Sequence, residues 1–296
     1  MAIEYVPARA MAAPAPGFAR RLGRGLRADP LAIAAMVVIG GLLVMAVLGS
    51  AIAPYPEQGE GASDVASRLL PPSGEHLMGT DQLGRDVLSR IIVGARSAVA
   101  VSILVVGLAA LIGVPLGAIA GFRRGRLDAL IMRTTDLFLA FPPLLLAMAI
   151  VAALGPGLDH VAIALAISWW PWYARLARGT AVSLRERPFI EAARATGLSD
   201  RTILARHVLP NLLTPVLVQA TVDVGTVILA AGSFAFLGLG ASPPTPDWGL
   251  MVAEGRAFIL DQWWLVTFPG MAIFVAVLAV NIVGDLLRDL LDPRRT

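Results

Sequence analysis

The stretch LAIAAMVVIGGLLVMAVLGSAIA, Leu31 to Ala53, runs for 23 residues without a charged side chain. A helix needs about 20 apolar residues to cross a hydrocarbon core of about 30 Å, so this segment alone places the chain in a bilayer. Working outward, five further candidate spans follow. They are Ser97 to Phe122; Thr134 to Leu154, with Asp136 and the Pro142-Pro143 pair; Val161 to Ala174, extended back toward Gly157; Leu212 to Leu237, with Pro215 and Asp223; and Trp263 to Leu287, with Asn281 and Asp285 near its end. Composition agrees: of 296 residues, 57% are hydrophobic and 15% charged, against roughly 45–50% and 25% in a soluble domain. The expected fold class is an all-α integral membrane protein with six transmembrane helices.

Composition also removes several chemistries. The chain has no cysteine, which excludes disulfides, thiolate metal sites and cysteine nucleophiles. All 24 basic residues are arginine, which excludes lysine Schiff bases and the P-loop lysine that grips nucleotide phosphates. If ATP drives this protein, another chain must bind it. The formal charge of +3 resolves once the arginines are laid across the spans. One side holds Arg9, Arg20, Arg21, Arg24, Arg27, Arg123, Arg124, Arg126, Arg133, Arg175, Arg178, Arg185, Arg187, Arg194, Arg201, Arg206, Arg288, Arg294 and Arg295. The other holds Arg68, Arg85, Arg90, Arg96 and Arg256. The positive-inside rule makes the first side cytoplasmic, with both termini on it, and no nucleic-acid partner is needed to explain the charge.

The expected organisation is a cytoplasmic tail over 1–30, a first span over 31–53, an extracytoplasmic loop with an interfacial helix over 54–96, a five-helix core over 97–287 and a tail over 288–296. Ala51-Ile52-Ala53 has the small residues of a signal cleavage site, but the apolar stretch exceeds an h-region of about 7–15 residues, so the first span is expected to remain. Thr80 or Asp81 is expected to cap the interfacial helix. Val87, Leu88, Ile91, Ile92 and Ala95 would then share its apolar face, with Asp86, Ser89, Arg90 and Arg96 off it. The tryptophans Trp169, Trp170, Trp172, Trp263 and Trp264 fit interfacial belts. His76, His160 and His207 lie on different segments and both sides, so no shared metal site is expected; His160 is expected to pair with Asp159.

The inner loop over 179–211 carries the sharpest signal. Pro188 suits a first helical turn, and Glu191-Ala192-Ala193 favours a short helix that Gly197 would end. Ser199 or Asp200 can cap a second helix through Ile203 and Leu204. The result is a helix, glycine turn and helix held outside the bilayer, a shape that a partner can grip.

Here the chain resembles a family. Glu191-Ala192-Ala193, three residues, Gly197, nine residues and then His207-Val208-Leu209-Pro210 is similar to the signature of ABC importer permeases, in the variant of the dipeptide/oligopeptide/nickel branch; the general pattern has an apolar residue where His207 stands. Gly79-Thr80-Asp81-Gln82-Leu83-Gly84-Arg85-Asp86, Phe236-Leu237-Gly238-Leu239-Gly240, Pro243-Pro244-Thr245-Pro246-Asp247-Trp248-Gly249 and Gly284-Asp285-Leu286-Leu287-Arg288-Asp289 resemble that branch in the same order. The branch commonly has an acidic residue five positions before the Phe-Leu-Gly-Leu-Gly run, where this chain has Ala231.

The resemblance implies a type I ABC importer permease fold in a bacterial inner membrane. It implies a second permease subunit, two ATP-binding subunits that hold ATP and magnesium, a substrate-binding protein outside the membrane and no cofactor in this chain. Glu191, Ala192, Ala193, Gly197, Leu198 and Ser199 would form a cytoplasmic coupling helix and its turn. Peptide is the expected cargo, with a nickel chelate, glutathione or another small solute as alternatives. Asp223 and Asp136 are candidate pathway residues, because carboxylates inside a membrane are costly and usually face a cavity or a partner; Asp136 could instead pair with Arg133. A self-sufficient channel would show rings of charge or a filter loop, an ion-coupled carrier inverted repeats, and an intramembrane enzyme a nucleophile–base pair. None of these is evident.

Overall fold

In the computed structural model, residues 30–291 are described, so most of the expected tails over 1–30 and 288–296, with seven of their arginines, lies outside the described residues. The chain is helical: α1 Pro30–Ile52, α2 Pro56–Glu60, α3 Val87–Arg123, α4 Gly125–Leu139, α5 Pro143–Leu154, α6 Leu158–Arg185, α7 Pro188–Ala195, α8 Asp200–Ile203, α9 Leu209–Phe236, α10 Trp248–Gly255 and α11 Trp264–Leu291. A π turn, Leu204–Val208, joins α8 to α9, where Pro210 would remove one helical donor and crowd the carbonyl four residues back. Below, the end of the bundle holding residues 53–86 is termed outer and the end holding α7 inner.

Six spans were expected. Among the described residues α1, α3, α8–α9 and α11 are long and apolar enough to cross a membrane, and the α4–α5 pair makes a fifth if counted as one span. That pair bends by 83° at Ala140–Pro142, so the third segment is two helices and not one kinked helix. Pro142 and Pro143 supply no backbone donors to continue α4, and α4 starts at Gly125, nine residues before the expected boundary. The fourth segment, α6, runs on to Arg185, well past Ala174, and its arginines and three tryptophans make it less apolar than the other spans.

The separate interfacial helix is also revised. Residues 87–123 form one helix of 37 residues, about 55 Å at 1.5 Å per residue, with no proline between Ser89 and Ser97. Asp86 caps it, accepting from Ser89 N at 2.8 Å, while Thr80 and Asp81 bond elsewhere. Val87, Ile91 and Ala95 are buried as expected, but so are Ser89 and Arg90, because residues 53–86 and α10 fold over the other face.

The central seam is α3 against α6. A Cβ built at Gly113, Gly117 or Gly121 would lie 2.3, 2.1 or 2.5 Å from the carbonyl oxygens of Trp170, Ala174 and Arg178. Glycines four apart stack on one helix face, and with no side chains there the two backbones touch, the usual way helices associate in lipid. The α1 helix packs on α3 and α11 through Ala32, Ala35, Leu42 and Gly49. Trp169, Trp170 and Trp264 are buried, whereas Trp172 and Trp263 stay about half exposed. Trp264 donates to Thr80 O at 3.3 Å and Trp248 to Ile91 O at 2.9 Å, which pins the outer cap to the bundle.

Candidate functional site

The inner end carries a protrusion built as the sequence implies. Pro188 opens α7, and Gly197 sits at φ +82°. The Leu198 amide donates to Ala193 O and the Gly197 amide to Arg194 O, the paired bonds of a Schellman ending that requires a left-handed residue. Ser199 caps α8, accepting from Thr202 N at 3.3 Å. Two side chains seat α7: Ile190 and Ala193 are buried among Phe122, Ala181, Ile203 and Leu212. The Arg194 guanidinium lies over the Phe122 ring at 5.4 Å.

The candidate residues therefore divide. Glu191, Ala192, Gly197, Leu198 and Ser199 are exposed on one protrusion, and Ala193 faces the bundle as an anchor. Phe189, 44% exposed, joins Leu198 as an apolar side chain on this surface; the sequence reading passed over it.

The carboxylates of the spans lie apart from one another. Asp136 pairs with Arg175 at 2.7 Å on the surface, not with Arg133. Asp128, eight residues earlier, takes both guanidinium donors of Arg178 at 2.6 and 2.8 Å, so two ion pairs hold α4 to α6. Asp223 is buried. It accepts from Gln219 Nε2 at 3.1 Å, while its Oδ2 and the Tyr173 hydroxyl are buried without a hydrogen bond.

A cleft of about 670 Å³ opens at the inner end between α9 and α11, walled by Pro215, Val218, Gln219, Asn281, Asp285 and Arg288 among others. Asp223 sits behind Gln219 and not on the wall. Asn281 and Asp285, near the end of the last span, are on it.

At the outer end the Gly79–Asp86 segment is buried at Thr80, Asp81, Arg85 and Asp86. Arg85 and Arg90 are at most 1% exposed. Asp81 Oδ2 bonds Arg85 Nε at 2.6 Å and Arg90 Nη1 at 2.7 Å, and Glu254 Oε2 bonds Arg85 Nη2 at 3.1 Å and Arg90 Nη1 at 2.9 Å. His76 pairs with Asp86 at 2.9 Å. The cluster ties residues 76–90 to α10. His160 bonds Gly155 O at 3.0 Å, not Asp159. Among the described residues no three His, Asp or Glu converge to hold a metal. Ala231, in place of the expected acid, shares a water-sized space of about 10 Å³ with Asp247. Burial pushes the Asp247 carboxyl above its ordinary 3.8, against the pull of the Leu250 and Gly249 amides and Arg90.

Residues 113–296 match the family described as the binding-protein-dependent transport system inner membrane component. Residues 17–72 match the N-terminal TM domain of oligopeptide transport permease C. The chain is 43% identical over 269 residues to the probable D,D-dipeptide transport system permease protein DdpC of Escherichia coli K12, covering 91% of this chain and 89% of that one. It is 43% identical to the dipeptide transport system permease protein DppC of Alkalihalophilus pseudofirmus, over 93% and 90%. It is 45% identical to the glutathione transport system permease protein GsiD of E. coli O6:K15:H31, over 92% and 89%. A solved structure of the MetNI methionine ABC transporter in an inward-facing conformation aligns with TM-score 0.56 at 19% identity, over 68% of this chain and 95% of that one. That likeness shows the fold.

Proposed function

The chain belongs to the family of binding-protein-dependent transport system inner membrane components, and from that premise we propose that it is the transmembrane permease subunit of an ATP-driven importer of di- and oligopeptides. Relatives at 43–45% identity that are named for peptide transport support the cargo. The observation that carries the mechanism is the α7 protrusion, an eight-residue helix outside the bundle whose own chain covers only Ile190 and Ala193.

In this mechanism α7 is the coupling helix, seated in a cleft of a partner ATPase. Glu191 makes a polar contact there, Ala192 and Leu198 pack closely, Ser199 holds the next helix start and Gly197 sets the turn. Ile190 and Ala193 pass the motion to α3, α6 and α9, so closure of the ATPases moves α7 as a lever and switches the pathway between inward and outward access. ATP and magnesium are held by the two ATP-binding subunits, and this chain needs no cofactor. A second permease completes the pathway, an extracytoplasmic binding protein delivers the peptide, and both termini lie in the cytoplasm of a bacterial cell. Glutathione, itself a tripeptide, is the second cargo reading, carried by the likeness to GsiD.

Reconstitution tests this. The chain, purified with a partner permease, two ATPases and a binding protein, should take a labelled dipeptide into proteoliposomes only when ATP is present. Purification as a lone subunit that transports without ATP overturns the proposal.

A further inference from the structure

The inner cleft has a directional chemistry that the coupling mechanism does not use. Gln219 gives its Nε2 to Asp223, and Asn281 gives its Nδ2 to Val277 O at 2.8 Å. Each amide nitrogen is thereby anchored, and the carbonyl oxygen with one remaining N–H is left for whatever enters the cleft. Asp285 adds a carboxylate, so three acceptors face the space from α9 and α11. Arg288 is the cation at the mouth, three residues beyond Asp285 and so displaced by about 4.5 Å along the helix axis. Neither Asp285 nor Arg288 makes an ion pair among the described residues. Leu176, Pro215 and Val218 supply apolar wall.

We propose that this cleft is a station for a zwitterionic short peptide. Asp285 takes the α-ammonium, the carbonyls of Gln219 and Asn281 accept from backbone N–H groups, and Arg288 takes the terminal carboxylate. Asp223 is a positioning residue that fixes the Gln219 amide. The volume falls within the roughly 300–1,000 Å³ usual for ligand sites. The polar groups address the ends and backbone of a peptide, and the apolar wall accepts varied side chains. The inference rests on the peptide reading above.

Because the chain has no cysteine, Val218→Cys places its sole thiol in the cleft wall. In the assembled complex a charged methanethiosulfonate should label it from the cytoplasmic side. A station with Kd of about 1 mM would make Ala-Ala at about 10 mM slow labelling about tenfold, while N-acetyl-Ala-Ala-amide, lacking both charges, leaves the rate unchanged. Adding Arg288→Gln should abolish protection by Ala-Ala, and Arg288→Lys should restore it. Equal protection by both peptides, or by neither, overturns the station. ATP-dependent Ala-Ala uptake by the same preparation separates the two ideas. Uptake without protection removes the station and keeps the importer, and protection without uptake does the reverse.

Discussion

Ile190→Ala removes the main anchor of α7 while leaving its exposed face unchanged. Ile190 is fully buried, and the change deletes three carbons, worth about 2.4 kcal/mol at roughly 0.8 kcal/mol per methylene. The cavity left behind raises the total toward the 2–5 kcal/mol of such core truncations. The other attachments are weaker: Ala193 buries one methyl group, and the Arg194–Phe122 contact contributes about 0.5–1 kcal/mol. The docked-to-undocked ratio of α7 should therefore fall by about fiftyfold or more, since each 1.4 kcal/mol is a factor of about ten. Protection of amides 188–197 from hydrogen exchange, measured on the subunit freed of its ATPases, reads this directly, and peptide taken up per ATP hydrolysed by the complex reads its consequence; both should drop. Phe189→Ala deletes a larger side chain from an exposed position and should leave exchange unaltered. Unchanged protection of 188–197 in Ile190→Ala would refute the lever, because α7 would then be held by something other than the buried contact.

Gly197→Asp adds a charge and a side chain at a left-handed turn with open space around it, so it should abolish uptake while the protein still reaches the membrane; uptake assays beside membrane immunoblots check both halves. Gly117→Leu forces a Cβ to within 2.1 Å of Ala174 O, and because both atoms are fixed by backbone the helices must part. The variant should fail to accumulate, whereas Gly107→Leu, with nothing within 4 Å, should accumulate normally. Glu254→Gln leaves Arg85 and Arg90 sharing Asp81 alone; breaking a buried pair costs about 3–5 kcal/mol, so thermal unfolding in detergent should shift well down, with Glu254→Asp in between. Asp247→Asn keeps the cap on Leu250 N without the buried charge and should be near neutral, while Asp247→Ala should cost about 1 kcal/mol. Since the folded carboxyl titrates above its ordinary value, wild-type stability relative to Asp247→Asn should be greatest in acid and decline as pH rises through the folded pKa, measured by denaturation at a series of pH values.

The helix–turn–helix over 188–203 was legible because each cue is local: Pro188 opens, Gly197 ends and Ser199 caps within hydrogen-bonding reach along the chain. The outer cap was not, because Arg85 and Arg90 look like solvated charges until Glu254, more than 160 residues away, is folded onto them. The α3–α6 seam lay between: Gly113, Gly117 and Gly121 stand at a visible four-residue spacing, but the spacing does not name the partner. Pro142-Pro143 announced a break and gave no angle for it. In the cleft, Gln219 is an unremarked amide in an apolar run until α11 brings Asn281, Asp285 and Arg288 opposite.

By itself the sequence determined that this chain is helical and membrane-embedded, and it located the loop that presents α7. Apolar length, charge asymmetry and turn residues act over one or two helical turns or against the bilayer, which is the same for every span. Only the tertiary structure decided which carboxylates are paired, which arginines are buried, and where a polar cleft opens. Those outcomes depend on which helix lies against which, and close approach of backbones at glycine sets that.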